Sequence, residues 1–91
     1  MEFDWSLAST LSSQDRQLIE ECFEDPFNLK LMPDMQLAKD QNRFFCLGKD
    51  TTQKGWFIVY TTNGKQHRIL ATRPLSEAEN HYYERKLRET L

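Results

Sequence analysis

The chain has 91 residues, 38% hydrophobic and 29% charged, and its 12 lysines and arginines against 14 aspartates and glutamates leave a net charge of −2. This length suits one small domain over residues 1–91 with a modest core. The composition excludes a disordered, collagen-like or disulfide-scaffold chain, and the slight acidity excludes wide, nonspecific coating of nucleic acid.

The charge is unevenly spread. Residues 1–40 hold nine acids and three bases, residues 41–63 one acid and three bases, and residues 64–91 four acids and six bases. A compact phosphate site remains open in the second half, because a few charges act where they converge. No run approaches the about 18 apolar residues of a membrane span. The opening Met-Glu-Phe-Asp-Trp lacks the basic and apolar regions of a signal peptide, so a cytoplasmic location is expected.

Residues 2–5 alternate polar and apolar and predict a short strand. Ser6 to Leu11 has room for a brief helical turn. Ser12 or Ser13 is an N-cap for the first helix, whose apolar stripe is Leu18, Ile19, Cys22 and Phe23. Asp25-Pro26 stops it, since the residue before proline is pushed out of the α region. Phe27, Leu29 and Leu31 alternate with Asn28, Lys30 and Met32, predicting a second strand that ends at Pro33-Asp34, with a polar connection over 34–42. A third strand covers Arg43 to Leu47 and closes at Gly48, before a polar turn over Lys49 to Lys54.

Trp56 to Thr62 is almost wholly β-branched and aromatic, the strongest strand signal in the chain. Asn63-Gly64 predicts a two-residue type I′ hairpin turn. The returning strand runs from Gln66 to Thr72 and ends at Pro74. That turn sets Thr62 opposite Lys65, Tyr60 opposite His67, Val59 opposite Arg68 and Trp56 opposite Ala71. One face then holds Trp56, Ile58, Tyr60, His67, Ile69 and Ala71, and the other Phe57, Val59, Arg68 and Leu70. Strict alternation places Arg68 and Arg73 on opposite faces unless a bulge intervenes. Ser76 and Glu79 form a capping box for a last helix to about Arg88. Its buried stripe is expected at Leu75, Ala78 and Tyr82, with Tyr83 beside it.

The residues with chemistry cluster near the end of the chain. Arg68 and Arg73 carry planar forks of donors suited to phosphate, and they lead into a helix bearing Tyr82 and Tyr83. This is a candidate phosphodiester site built without metal or histidine, and no cofactor is expected. His67 is a candidate acid or base. Each has a structural alternative: an ion pair for the arginines, core packing for His67, capping for Glu79. Cys22 and Cys46 each lie in an apolar run and are expected as buried free thiols. No spacing of cysteine and histidine suits zinc.

In their order and spacing, Phe3-Asp4-Trp5, Phe23-Glu24-Asp25-Pro26, Arg43-Phe44 through Gly48, Val59-Tyr60-Thr61, Arg68-Ile69 through Arg73, then Ser76, Glu79 and Tyr83 resemble the BrnT ribonuclease toxins, small members of the RelE/ParE superfamily. The resemblance spans nearly the whole chain. It implies a compact α+β fold, with helices packed on a mostly antiparallel sheet. It implies the toxin of a type II toxin–antitoxin system, a metal-independent endoribonuclease held by a ribbon-helix-helix antitoxin. Arg68 and Arg73 would then stabilise charge on an RNA phosphate, Tyr83 would position it or relay a proton, and His67 would serve as acid or base. The chain departs from the family's pattern in two places. Ser6 to Ser13 stands where a basic Lys-His-Gly segment is usual, and Asn63 where the hairpin turn is usually charged. Those departures leave a second function open, a catalytically inactive module of the same fold that binds an antitoxin or another protein.

Overall fold

The structure, a computed structural model, describes residues 2–31 and 43–90. Met32, the predicted strand end at Pro33-Asp34 and the polar connection over 34–42 lie outside them. The order is β1 (Glu2–Asp4), a 3-10 turn (Ser6–Ala8), α1 (Ser13–Glu24), β2 (Leu29–Leu31), β3 (Phe44–Lys49), β4 (Gly55–Thr62), β5 (Gln66–Pro74) and α2 (Glu77–Thr90). The strands form one sheet in the order β1-β5-β4-β3-β2. The β2–β3, β3–β4 and β4–β5 pairs are antiparallel, and β1 joins β5 in parallel. The fold is α+β, a single small domain with a mixed, mostly antiparallel sheet.

Local chemistry sets the helix ends. The Ser12 hydroxyl accepts the Asp15 N–H at 3.0 Å and starts α1. The Ser76 hydroxyl accepts the Glu79 N–H while Glu79 accepts the Ser76 N–H, completing the predicted capping box of α2. α1 lays Ile19 and Cys22 on β3 and β4. There they meet Cys46, Trp56, Ile58, Tyr60 and Ile69, all from one face of the sheet. Both cysteines are free and fully buried. Burial pushes the Cys46 thiol up to about 12 and the Cys22 thiol higher still, so neither is a nucleophile at neutral pH.

Three sequence expectations change. Gly48 does not close β3 but lies within it. A Cβ there would stand 2.9 Å from the Cys22 carbonyl oxygen, so glycine lets α1 approach the sheet. The hairpin after β4 is not a type I′ turn, which needs positive φ at both central residues. Among the described residues only Gly64 and Gln53 have positive φ. Asn63 Oδ1 instead accepts the Lys65 and Gln66 N–H groups at 2.9 and 2.8 Å, giving a wider turn whose first strand pair is Thr62 with His67.

The third change is a bulge between Val59 and Tyr60. Tyr60 pairs with Ile69, but Val59 pairs with Ala71. Leu70 is the extra residue, and everything beyond it changes side. Trp56 therefore pairs with Pro74, not Ala71, and Phe57 with Arg73. Ala71 leaves the core face, and Arg73 joins Arg68 on the opposite one.

α2 crosses that second face at the Lys49–Gly55 end of the β3–β4 pair. A Cβ on Gly55 would collide with Leu75, and Lys49 bonds Glu84 at 2.8 Å. The turn between β3 and β4 is organised by Asp50, only 2% exposed. Its carboxylate accepts the Thr52 N–H and hydroxyl, the Lys54 N–H and the Trp56 indole N–H. Burial opposes its charge, but those donors outweigh burial and hold its pKa below the ordinary value. Gly48→Ala is expected to cost about 1–3 kcal/mol, because the crowding atom is backbone and cannot step aside. Gly64→Ala, in open space at φ +90°, should cost roughly 1 kcal/mol through backbone strain alone. Urea unfolding should give a lower midpoint for both at unchanged slope, with the larger drop at Gly48.

Candidate functional site

The sheet face away from α1 carries the sequence-predicted arginines. Arg68 pairs with Thr61 and Arg73 with Phe57, four residues apart along β4. At strand rise they stand roughly 13 Å apart. Phe45 and Phe57 stack on this face with centroids 5.4 Å apart, and the Arg73 guanidinium lies 4.2 Å over the Phe57 ring. Leu29, Leu31 and Val59 share the face and are half-buried. The aromatics of the core face, Trp56 and Tyr60, are buried.

Both arginines already hold carboxylates. Arg68 Nε donates to Asp4 Oδ2 at 2.9 Å, leaving its two terminal nitrogens. Parallel pairing of β1 and β5 sets Asp4 beside Arg68. Arg73 grips Glu79 with both terminal nitrogens, at 2.7 and 2.8 Å, and also reaches the Pro74 carbonyl. The Arg73 bonds, aided by Ser76 and outweighing burial, lower the Glu79 pKa to about 2. Glu79 is thus both cap and counter-ion, and too weak a base for proton abstraction near neutrality.

His67 does not join them. Its side chain lies on the core face, against Phe23 and Tyr60 at 4.9 Å each and Phe3 at 5.6 Å. Its Nδ1 is buried without a hydrogen-bond partner. Burial, then the nearby Lys30 charge, lowers its pKa. Tyr83 is committed to another partner. It is the buried residue of α2, with its hydroxyl donating to Asp25 Oδ2 at 2.6 Å. Burial and that bond push its pKa well up, so it holds its proton. The helix stripe expected at Ala78 and Tyr82 is displaced: Ala78 is exposed and Tyr82 half-buried, while Asn80, Tyr83 and Leu87 face inward. Of the four candidates, the structure brings Arg68 and Arg73 to one face, sends His67 to the other, and sets Tyr83 on the helix that crosses the arginine face with its hydroxyl committed to Asp25.

Asp25 has a role that the sequence reading missed. Its Oδ1 accepts the Phe27 N–H at 2.9 Å, and its Oδ2 accepts the Lys49 N–H at 3.0 Å together with Tyr83. Lys49 Nζ sits 5.2 Å from the Tyr83 ring centre. Around this node lies a cleft of about 600 Å³ lined by Glu21, Glu24, Asp25, Lys49, Asp50 and Tyr83 among others. Its acidity suits no phosphate. A signal for Asp25 was present: an acid at a helix C-terminus opposes the macrodipole, so it needs another partner. Among the described residues no cluster of histidine, cysteine, aspartate or glutamate could hold a metal ion, and no helix is long and apolar enough to cross a membrane.

The chain matches no protein-family model. It shows no significant similarity to a curated protein either.

Tyr83→Phe is expected to lower stability by about 1–3 kcal/mol, read by urea unfolding, because it removes one donor to a carboxylate. Acid should destabilise the fold in two windows. His67 has a lowered folded pKa, so below its ordinary 6.5 the unfolded chain takes the proton more readily and stability falls with pH. Glu79 also has a lowered folded pKa. Its contribution is present above 4.5 and is lost as pH falls toward about 2. Urea midpoints should fall from pH 7.5 to 5.5 in wild type but much less in His67→Gln. The further fall below pH 4.5 should shrink in Arg73→Ala.

Proposed function

We propose that this chain is the toxin of a type II toxin–antitoxin pair, cleaving RNA without a metal and restrained by a ribbon-helix-helix antitoxin. The observation that carries this reading is the β5 bulge, which gives Arg68 and Arg73 a common sheet face. The ordered resemblance to BrnT toxins and the α+β fold with three antiparallel strand pairs support it. In the reaction, the ribose 2′-oxygen bonds to the adjacent phosphorus and the bond to the 5′-oxygen breaks. The 2′-hydroxyl loses a proton and the 5′-oxygen gains one. Arg68, with two nitrogens unoccupied, is the nearer to hand for the charge that builds on phosphate. Arg73 must exchange Glu79 for the substrate.

A second reading has its own observation. His67 is committed to core packing and the Tyr83 hydroxyl to Asp25, which leaves the arginines without a free proton carrier. The same half-buried apolar face then serves as a protein-binding surface, with no chemistry.

Induced expression separates the two. Wild type should arrest growth and degrade cellular RNA, and Arg68→Ala/Arg73→Ala should lose at least about a hundredfold of cleavage, the scale of one lost charge-stabilising donor. Absence of RNA degradation by wild type leaves the binding reading. Equal cleavage by the double variant removes these arginines from the site.

A further inference from the structure

The arginines of β5 each already pair with a carboxylate. Among the described residues the ion pairs are Lys49–Glu84, Arg68–Asp4, Arg73–Glu79 and Lys86–Glu89. Arg85 and Arg88 belong to none of them. Both are exposed, on one face of α2 with exposed His81 at i, i+4 and i+7. Arg88 gives its Nε to the Glu84 carbonyl at 3.4 Å, so the outer nitrogens of its fork are unused. Arg85 lies 5.8 Å from the Tyr82 ring centre, a contact that leaves its N–H groups open. These three residues and Glu89 line an open cleft of about 630 Å³. Glu89, the acid among them, is engaged by Lys86 at 3.4 Å.

We infer that this face of α2 is an anchoring surface for the phosphate backbone of single-stranded RNA. The inference rests on the RNA reading above and assigns backbone binding to a different element from the β5 arginines. A polyanion arriving at β5 meets the charges of Asp4 and Glu79 beside the arginines, even where it uses the two Arg68 nitrogens that Asp4 leaves open. At α2 it meets two guanidinium groups without an ion pair among the described residues, which bind phosphate as forks of donors. From His81 to Arg88 the helix rises about 10 Å, room for the two guanidinium groups to meet neighbouring phosphates of one extended strand. The location in the last turns of α2 also suits cations, since the helix C-terminus is negative. That alone accounts for their tolerance there. It does not account for their standing outside every ion pair among the described residues.

The test measures binding of a 2′-O-methyl oligouridylate, which lacks the attacking hydroxyl, by fluorescence anisotropy over a series of potassium chloride concentrations. For wild type the logarithm of affinity should fall linearly with the logarithm of salt. Arg85→Ala/Arg88→Ala should lose about 1.4 from that slope, two single-strand phosphate contacts at about 0.7 each. Arg85→Lys/Arg88→Lys should keep most of it. Lys54→Ala/Lys65→Ala, which removes the same charge from two exposed turns, should leave the slope nearly unchanged. If the α2 alanine variant keeps the wild-type slope, or the turn variant loses as much, the surface is wrong while the RNA reading stands. If wild type does not bind the oligonucleotide at any salt concentration, the RNA reading itself falls and this surface with it.

Discussion

The carboxylate of Asp25 is the constraint on which the placement of α2 depends. It receives the backbone of the segment entering β2, the backbone of β3 and the hydroxyl of Tyr83. Three elements far apart in sequence thus meet on one side chain. α2 needs such a link because it buries little. Tyr83 is its one fully buried side chain among the described residues, and its mean hydropathy is low enough that apolar contact alone does not fix it. Its other attachments are also largely polar: Glu84 to Lys49 and Glu79 to Arg73, with Leu75 over Gly55 as the apolar contact. α1, by contrast, is seated by Ile19 and Cys22 in the core, and its approach is limited only by the space Gly48 leaves.

The second constraint is the extra residue at Leu70. Without it the β4–β5 pair would keep one register, and the hydrophobic pattern of β5 would present Ala71 to the core and Arg73 away from Arg68. With it, Ile69 remains in the core while Ala71 and Arg73 move outward. The bulge therefore decouples the two ends of β5. One end carries the core with His67 and Ile69. The other leads Arg73 toward the N-terminus of α2, where its bond to Glu79 supports the cap.

Much of this was legible in the residues, for physical reasons that differ by element. β4 was clear because β-branched and aromatic side chains suit a pleated surface whatever the partner. Both helix starts were clear because capping is a contact of three residues. The α+β class was an implication of the family resemblance, and the mixed sheet with its two helices agrees with it. The bulge was not legible, since it depends on how two strands meet and not on either alone. The hairpin turn was misjudged because Asn63 has two ways to satisfy the nearby N–H groups, and its side chain won. The choice between Tyr82 and Tyr83 turned on a long-range acceptor, Asp25, that helix periodicity cannot register. The same holds for the candidate site. Residue type marked Arg68 and Arg73 for phosphate, but only tertiary pairing showed that Asp4 and Glu79 hold them.

That pairing bears directly on what the β5 face can do. Glu79 Oε1 is shared between Arg73 and the Ser76 N–H, so Arg73 can leave without uncapping α2. The helix would survive the exchange of Glu79 for a phosphate. The carboxylate would not go with it. Even without Arg73 its ordinary value of 4.5 keeps it charged at physiological pH, and two like charges about 4 Å apart near a surface repel by about 4 kcal/mol. A phosphate gripped by Arg73 must overcome that repulsion, whereas one held by Arg68 can use nitrogens that Asp4 leaves open. The two β5 arginines are therefore unequal. Arg73 is built first into the architecture that joins strand to helix, and Arg68 is the freer of the pair to meet a substrate.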